Sequence, residues 1–191
     1  MEKFEFKLPP AENSSKTQIS GTFPTYLKAD KILGELVGDG KTLDFGAGLG
    51  LSQLKLNYDT FEPYPRGKFV PTYTDISKIK DSSYKRLTSL NVLNVVSLDV
   101  RNTIVKSIGQ ILSVGGVAII TTRGKDVLNC KGIIGQEPMS IVTTIDTYQK
   151  GFTKKELLEY VSSTLGENYR VQPLKLGPAG CTITKLRGEI S

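Results

Sequence analysis

Residues 42–50 read TLDFGAGLG, and they constrain the chain more than any other stretch. Leu43 and Phe45 are apolar and strand-like, with Asp44 between them. Gly46, Gly48 and Gly50 follow, separated only by Ala47 and Leu49. Glycine has no Cβ and accepts positive φ, so a strand that ends in closely spaced glycines lets the backbone approach a ligand. A plain glycine turn is the competing reading. The acidic residue, the glycine spacing and the downstream pattern favour the ligand turn. Two phosphate-binding motifs are excluded. The dinucleotide fingerprint requires glycine at position 51, which is Leu51. A Walker loop ending at Gly40-Lys41-Thr42 requires glycine at position 35, which is Glu35, and should follow a strand rather than begin one.

An acidic residue followed by G-x-G-x-G resembles the first motif of the class I S-adenosylmethionine (AdoMet) dependent methyltransferases. In that family the turn lies against the methionine part of the cofactor. The resemblance implies AdoMet as cofactor, S-adenosylhomocysteine (AdoHcy) as product, and cofactor contacts from Asp44, Gly46, Ala47, Gly48 and Gly50. It also implies an α/β, Rossmann-like fold of seven strands, mostly parallel, with an antiparallel last strand.

A chain of 191 residues is long enough for one domain with a real core. The expected organisation is an N-terminal arm or lid over 1–24 and a single domain over 25–191. The longest apolar runs, such as 115–120, are too short to span a bilayer. The first ten residues alternate charges and have no apolar signal core, so a cytoplasmic location and no membrane partner are expected. Cys130 and Cys181 lack metal-ligand spacing, and no metal site is predicted. Neither follows a proline, so the Pro-Cys nucleophile of cytosine-C5 methyltransferases is missing. Histidine is absent, which removes the commonest general base. The formal charge is +6, and between Arg66 and Arg86 six basic residues face two acidic ones. That excess suits either phosphate contacts or a solvated face.

Along the chain, apolar spacing predicts a helix over 25–37 with Gly38 as its stop. Strands follow at 41–45 and 58–61. Glu62 ends the second, eighteen positions after Asp44. That is where a doubly wound fold places a carboxylate on ribose hydroxyls. Pro63 and Pro65 stiffen the next turn, and Pro63 is expected to be a further cofactor contact. Residues 69–74 suggest a weak third strand. The resemblance then assigns Asp75 to the adenine amino group and Ile76 to the ring, although Asp75 also suits the N-cap of a short helix.

Strand four is expected at 86–90, ending in Asn91-Val92-Leu93-Asn94. This is the family's position beside the transferable methyl, and Asn91 and Asn94 are the candidate catalytic residues, Asn91 also as a cofactor contact. The D/N-P-P-Y/F motif of amino-group DNA methyltransferases is absent here. The Asn-x-Leu-Asn run resembles small phage and bacterial methyltransferases of undefined substrate. A helix over 99–112, stopped by Gly115-Gly116, should lead into a buried strand at 117–121. Arg101, Lys106 and Gln110 fall outside its apolar stripe. An insertion follows at about 124–151, with an extra strand near 140–145. Arg123 and Tyr148 are the second catalytic candidates, and Tyr148-Gln149 is expected to face substrate. Thr153 and Glu156 form a capping box for a helix ending at Gly166. A last antiparallel hairpin is expected over 169–174 and 181–186.

The reading is therefore an AdoMet-dependent methyltransferase with nucleic acid among its candidate acceptors. The alternatives are a small-molecule or protein methyltransferase, and a non-catalytic protein of the same fold.

Overall fold

The computed structural model describes residues 7–18 and 23–188. The parts of the expected arm at 1–6 and 19–22, and the last three residues of the expected domain, lie outside the described residues.

Helix α1 (Phe23–Val37) turns Tyr26, Ala29 and Leu33 inward. Leu27 and Leu36, although in apolar register, stay about half exposed. Strand β1 (Thr42–Phe45) is buried on both faces, and the glycine turn leads into α2 (Leu51–Leu56). Then come β2 (Asp59–Phe61), β3 (Tyr84–Leu90), α3 (Leu98–Ile111) and β4 (Leu112–Thr122). The insertion forms β5 (Gly132–Ile134), β6 (Ser140–Thr143) and β7 (Tyr148–Lys150). Helix α4 (Lys154–Leu165) and the hairpin β8 (Tyr169–Pro173) with β9 (Ala179–Lys185) complete the fold.

Among the described residues the main sheet has six strands, in the order β2-β1-β3-β4-β9-β8. Strands β2, β1, β3 and β4 pair in parallel, and β9 runs antiparallel between β4 and β8. One apolar cluster joins α1 to β3 and β4 through Ala29, Leu33, Leu90 and Ile119. A larger one joins α3 and α4 to the sheet through Val105, Ile108, Leu157, Val161 and Ile183. Helices thus cover both faces, as a parallel sheet requires.

The expected count of seven strands is corrected to six, with a separate antiparallel sheet of three, β5-β6-β7. The strand anticipated at 69–74 is reduced to a single bridge between Phe61 and Tyr73. Its neighbours explain why. The Thr60 amide donates to Thr72 Oγ1, and the Thr72 amide to Thr60 Oγ1, each at 3.0 Å. Side-chain hydroxyls thus occupy amides that a ladder would use. Pro71 also removes a donor.

Gly115-Gly116 does not stop the preceding helix. That helix ends at Ile111 and β4 starts at once. The register then slips, with Tyr84 opposite Leu112 but Arg86 opposite Val117. Gly115 sits at φ +76, and a Cβ on Gly116 would lie 2.9 Å from the Ser113 carbonyl. The pair builds a bulge. The capping box is present, with the Glu156 amide donating to Thr153 Oγ1 at 3.1 Å and the Thr153 amide to Glu156 Oε2 at 3.4 Å.

Candidate active site

The parallel strands end around a cavity of about 700 Å³. Its floor is the glycine turn. Gly46, Gly48 and Gly50 all lie in the left-handed region, at φ +84, +58 and +75. Two of them are also sterically fixed. A Cβ on Gly46 would meet Val92 at 2.5 Å, and one on Gly50 would meet the Phe69 ring at 2.2 Å. The turn is pinned to the second strand as well. The amides of Gly46 and Ala47 donate to the Phe61 carbonyl at 2.8 and 3.1 Å.

Glu62 stands at the end of β2 on the cavity wall and is only 6% exposed. Its Oε2 accepts the Gly48 amide at 2.9 Å, and its Oε1 accepts the Tyr64 amide at 3.1 Å. Burial raises its pKa above the ordinary carboxylate value, against the pull of those two amides. Each oxygen keeps a second lone pair for a ligand donor.

Asn91 follows β3 at φ +58, a conformation asparagine tolerates. Its amide donates to the Thr121 carbonyl at 2.9 Å, which aligns the ends of β3 and β4. Asn91 and Asn94 both line the cavity. Asn94 is fully buried, and its Oδ1 has no hydrogen-bond partner among the described residues. The opposite wall comes from α3 through Val100, Thr103, Ile104 and Ser107, one helical stripe. The roof is a 3-10 turn over Ala11–Thr17 with Gln18 after it. Gln18 lies above Gly48, where a Cβ on the glycine would stand 3.5 Å from it. The Gln18 Oε1 is also buried and without a partner among the described residues.

No family model matches the chain, and no curated protein matches it in sequence. Solved structures do match it in fold. The PH0226 protein of Pyrococcus horikoshii OT3 is 11% identical over 87% of this chain and 92% of that one, with a TM-score of 0.62. The sugar N-methyltransferase KedS8 of Streptoalloteichus is 11% identical over 98% of this chain and 97% of that one, with a TM-score of 0.61. The AdoMet-bound amino pentose methyltransferase CalS10 of Micromonospora echinaspora is 13% identical over 97% of this chain and 99% of that one, with a TM-score of 0.57. This is the fold of the AdoMet-dependent methyltransferases.

Within the methyltransferase fold, the residues singled out in the sequence separate into two groups. Gly46, Ala47, Gly48, Glu62, Pro63, Ile76, Asn91, Asn94 and Arg123 all line the one cavity. Asp44, Gly50, Asp75 and Tyr148 do not.

Asp44 is wholly buried beneath the turn. Its Oδ2 accepts Ser52 Oγ at 2.6 Å and its Oδ1 accepts Thr88 Oγ1 at 2.9 Å. Desolvation raises its pKa above the ordinary value. It joins β1, α2 and β3 from below the cavity. Gly50 is buried against Phe69. Asp75 is exposed and accepts the Ser77 amide at 2.9 Å, capping the short turn Ile76–Lys78, which holds its carboxyl below the usual range. Tyr148 turns its hydroxyl to the Glu137 carboxylate, and burial together with that carboxylate pushes it up to about 12.

Several lining residues carried no signal of their own. Tyr26 reads as an apolar helix position, and Gln18 belongs to an irregular segment. Arg101 was expected on the solvent side of its helix. It is buried instead, ion-paired with Glu137 (NH2 to Oε2, 2.6 Å), with its guanidinium 5.5 Å from the Phe152 ring centre. The partner lies 36 residues away, beyond any local pattern.

Proposed function

We propose that the chain binds AdoMet in the 700 Å³ cavity and transfers the methyl group to a small molecule admitted to the same space. One observation carries this reading. The glycine turn, Glu62 and the Asn91–Asn94 loop converge on a single cavity roofed by residues 11–18. Its volume falls within the about 300–1,000 Å³ of small-molecule sites.

The residues present suit the cofactor. The turn allows close backbone approach, and Glu62 offers free lone pairs to ribose hydroxyls. Ile76 gives an apolar wall for adenine. Asn94 and Gln18 hold buried carbonyls that are unpaired among the described residues and call for donors. When bound, the sulfonium supplies an electrophilic methyl group. The chain then contributes position and exclusion of water. Asn91, fixed by Thr121, and Asn94 orient the acceptor at the ends of β3 and β4. The arm closes the cavity from above and is tied to both rims. Arg66 NH1 donates to the Ser15 carbonyl at 2.9 Å, and Asn13 Nδ2 donates to Asp146 Oδ2 at 2.7 Å. Holding reactants in line lowers a barrier by about 7–11 kcal/mol.

A nucleic-acid acceptor, expected among the candidates, finds no support. Two of the six basic residues between Arg66 and Arg86 are committed elsewhere, Arg66 to the arm and Arg86, buried, to Asp30 at 2.5 Å. Two of the three structures named above, KedS8 and CalS10, are a sugar N-methyltransferase and an amino pentose methyltransferase.

Calorimetric titration with AdoMet and AdoHcy tests the reading. Saturable binding is expected, weakened strongly in Glu62→Ala. No binding by the wild type sinks it. Binding without AdoHcy formation, across a broad metabolite extract, would favour the non-catalytic alternative.

A further inference from the structure

The cavity has an uneven charge inventory. Among the described residues that line it, the ionisable groups are Tyr26, Glu62, Tyr64 and Arg123. Arg123 is the one cation of that set, and it stands at the carboxyl end of β4, on the same wall as Asn91 and Asn94. Its orientation is fixed from behind. Nε and NH2 both donate to Asp126 Oδ2 at 2.8 Å, and Asp126 Oδ1 accepts the Gly124 amide at 2.9 Å. The remaining edge is poorly used. NH1 reaches Gln149 Oε1 at 3.4 Å and Cys130 Sγ at 3.8 Å, both long. A guanidinium nitrogen against a carboxylate normally sits at about 2.7–2.9 Å.

Among the described lining residues no proton acceptor is left over for the reaction. The free lone pairs of Glu62 are assigned above to the ribose hydroxyls. Tyr26 and Tyr64 present phenolic hydroxyls, that of Tyr26 raised well above its ordinary value by burial and by nearby Asp44. An alcohol or an ammonium group would have to shed a proton during methylation. A carboxylate would not.

We infer, resting on the methyl-transfer reading above, that the acceptor is a small carboxylic acid, paired through one oxygen with Arg123 NH1 and methylated on the other. A lone pair of the free carboxylate oxygen forms the new oxygen–carbon bond. The sulfur–carbon bond breaks, and its electron pair stays on sulfur. Carboxylate and sulfonium become a neutral methyl ester and a neutral thioether, with no proton to place. Gln149, 6% exposed beside NH1, donates its amide hydrogens to the same carboxylate once its oxygen is released.

The test uses the full chain, AdoMet labelled in the methyl group, and a panel of benzoate, phenylacetate and octanoate, each beside its primary amide and the corresponding primary amine. Two readouts are taken. Equilibrium dialysis measures binding of each probe to protein saturated with AdoHcy. Mild alkali then releases labelled methanol from methyl esters but not from N-methyl products. At least one acid should bind saturably and yield alkali-labile label. Arg123→Gln should weaken that binding at least tenfold and Arg123→Lys less, with AdoHcy affinity kept within twofold in both. The inference is overturned by label confined to amines or amides, by acid binding indifferent to Arg123→Gln, or by no acid binding at all while AdoHcy binds. Failure of the wild type to bind AdoHcy removes the methyltransferase reading itself, and this inference with it.

Discussion

The Gly48 amide donates to Glu62 Oε2 at 2.9 Å, so the tip of the glycine turn and the end of β2 move as one piece. Glu62→Ala leaves that amide and the Tyr64 amide without their acceptor. A hydrogen bond to a charged group is worth about 1.5–3 kcal/mol, and losing one corresponds to about tenfold or more in affinity. Calorimetry should show AdoMet binding weakened by at least that factor, and Glu62→Gln, which keeps one acceptor oxygen, should lose less.

Gly50→Ala and Gly67→Ala differ in one respect. Both positions have left-handed backbone, φ +75 and +66, but only the Gly50 methyl would strike a neighbour, the Phe69 ring at 2.2 Å. Gly67→Ala carries the conformational term alone, about 1–2 kcal/mol. Gly50→Ala should cost clearly more in urea unfolding. Equal losses would mean that Phe69 is free to move aside.

Glu62 also sets a pH dependence. Burial raises its pKa above the ordinary value of 4.5. The folded chain therefore still holds this proton after the unfolded chain has released it. Stability from this source is complete below the ordinary value and is lost as pH rises through the folded value. Gln does not titrate, so Glu62→Gln should gain on the wild type as pH rises across that window. Unfolding free energies measured from about pH 4 to pH 7 check the sign. A constant difference would refute it.

Glu137 is the partner that neutralises buried Arg101, whose Nε and NH1 have no hydrogen-bond partner among the described residues. Removing one member of a buried pair strands the other charge, at about 3–5 kcal/mol. Glu137→Ala should lower stability by that order in urea titration, and Glu137→Gln by less.

The arm is held by exposed contacts, so it should open readily. Arg66→Ala combined with Asp146→Ala removes the Ser15 and Asn13 tethers. At about 0.5–1.5 kcal/mol each, the pair should speed AdoHcy release roughly tenfold, measured by stopped flow. An unchanged rate would show that the arm does not gate the cavity.

The alternation of strands and helices and the glycine turn at the carboxyl edge of the sheet were legible because they rest on local signals: the glycine spacing, Glu62 after β2, the capping box and the β-branched run in β4. What escaped depends on distant partners. Nothing near Asp44 shows that Ser52 and Thr88 will take both its oxygens. Gly115-Gly116 has the look of a helix stop, and only the register against β3 makes it a bulge. The missing third strand turned on the reciprocal bonds of Thr60 and Thr72, two residues that separately favour strand. Arg101 looked solvated because its counter-ion arrives from the insertion.

That last pair has a consequence for how such a protein changes over time. Val100 lines the cavity, and Arg101, the next residue on α3, anchors the three-stranded sheet through Glu137. The insertion is therefore no free-standing cassette. Variation in it reaches the cavity directly at Gln149 and also through Arg101 to the Val100 wall, and a transplanted insertion must bring its own carboxylate for Arg101. Recruitment of this scaffold to new acceptors is thereby channelled toward the loops around Arg123 and Asn91, which can vary without disturbing that anchor.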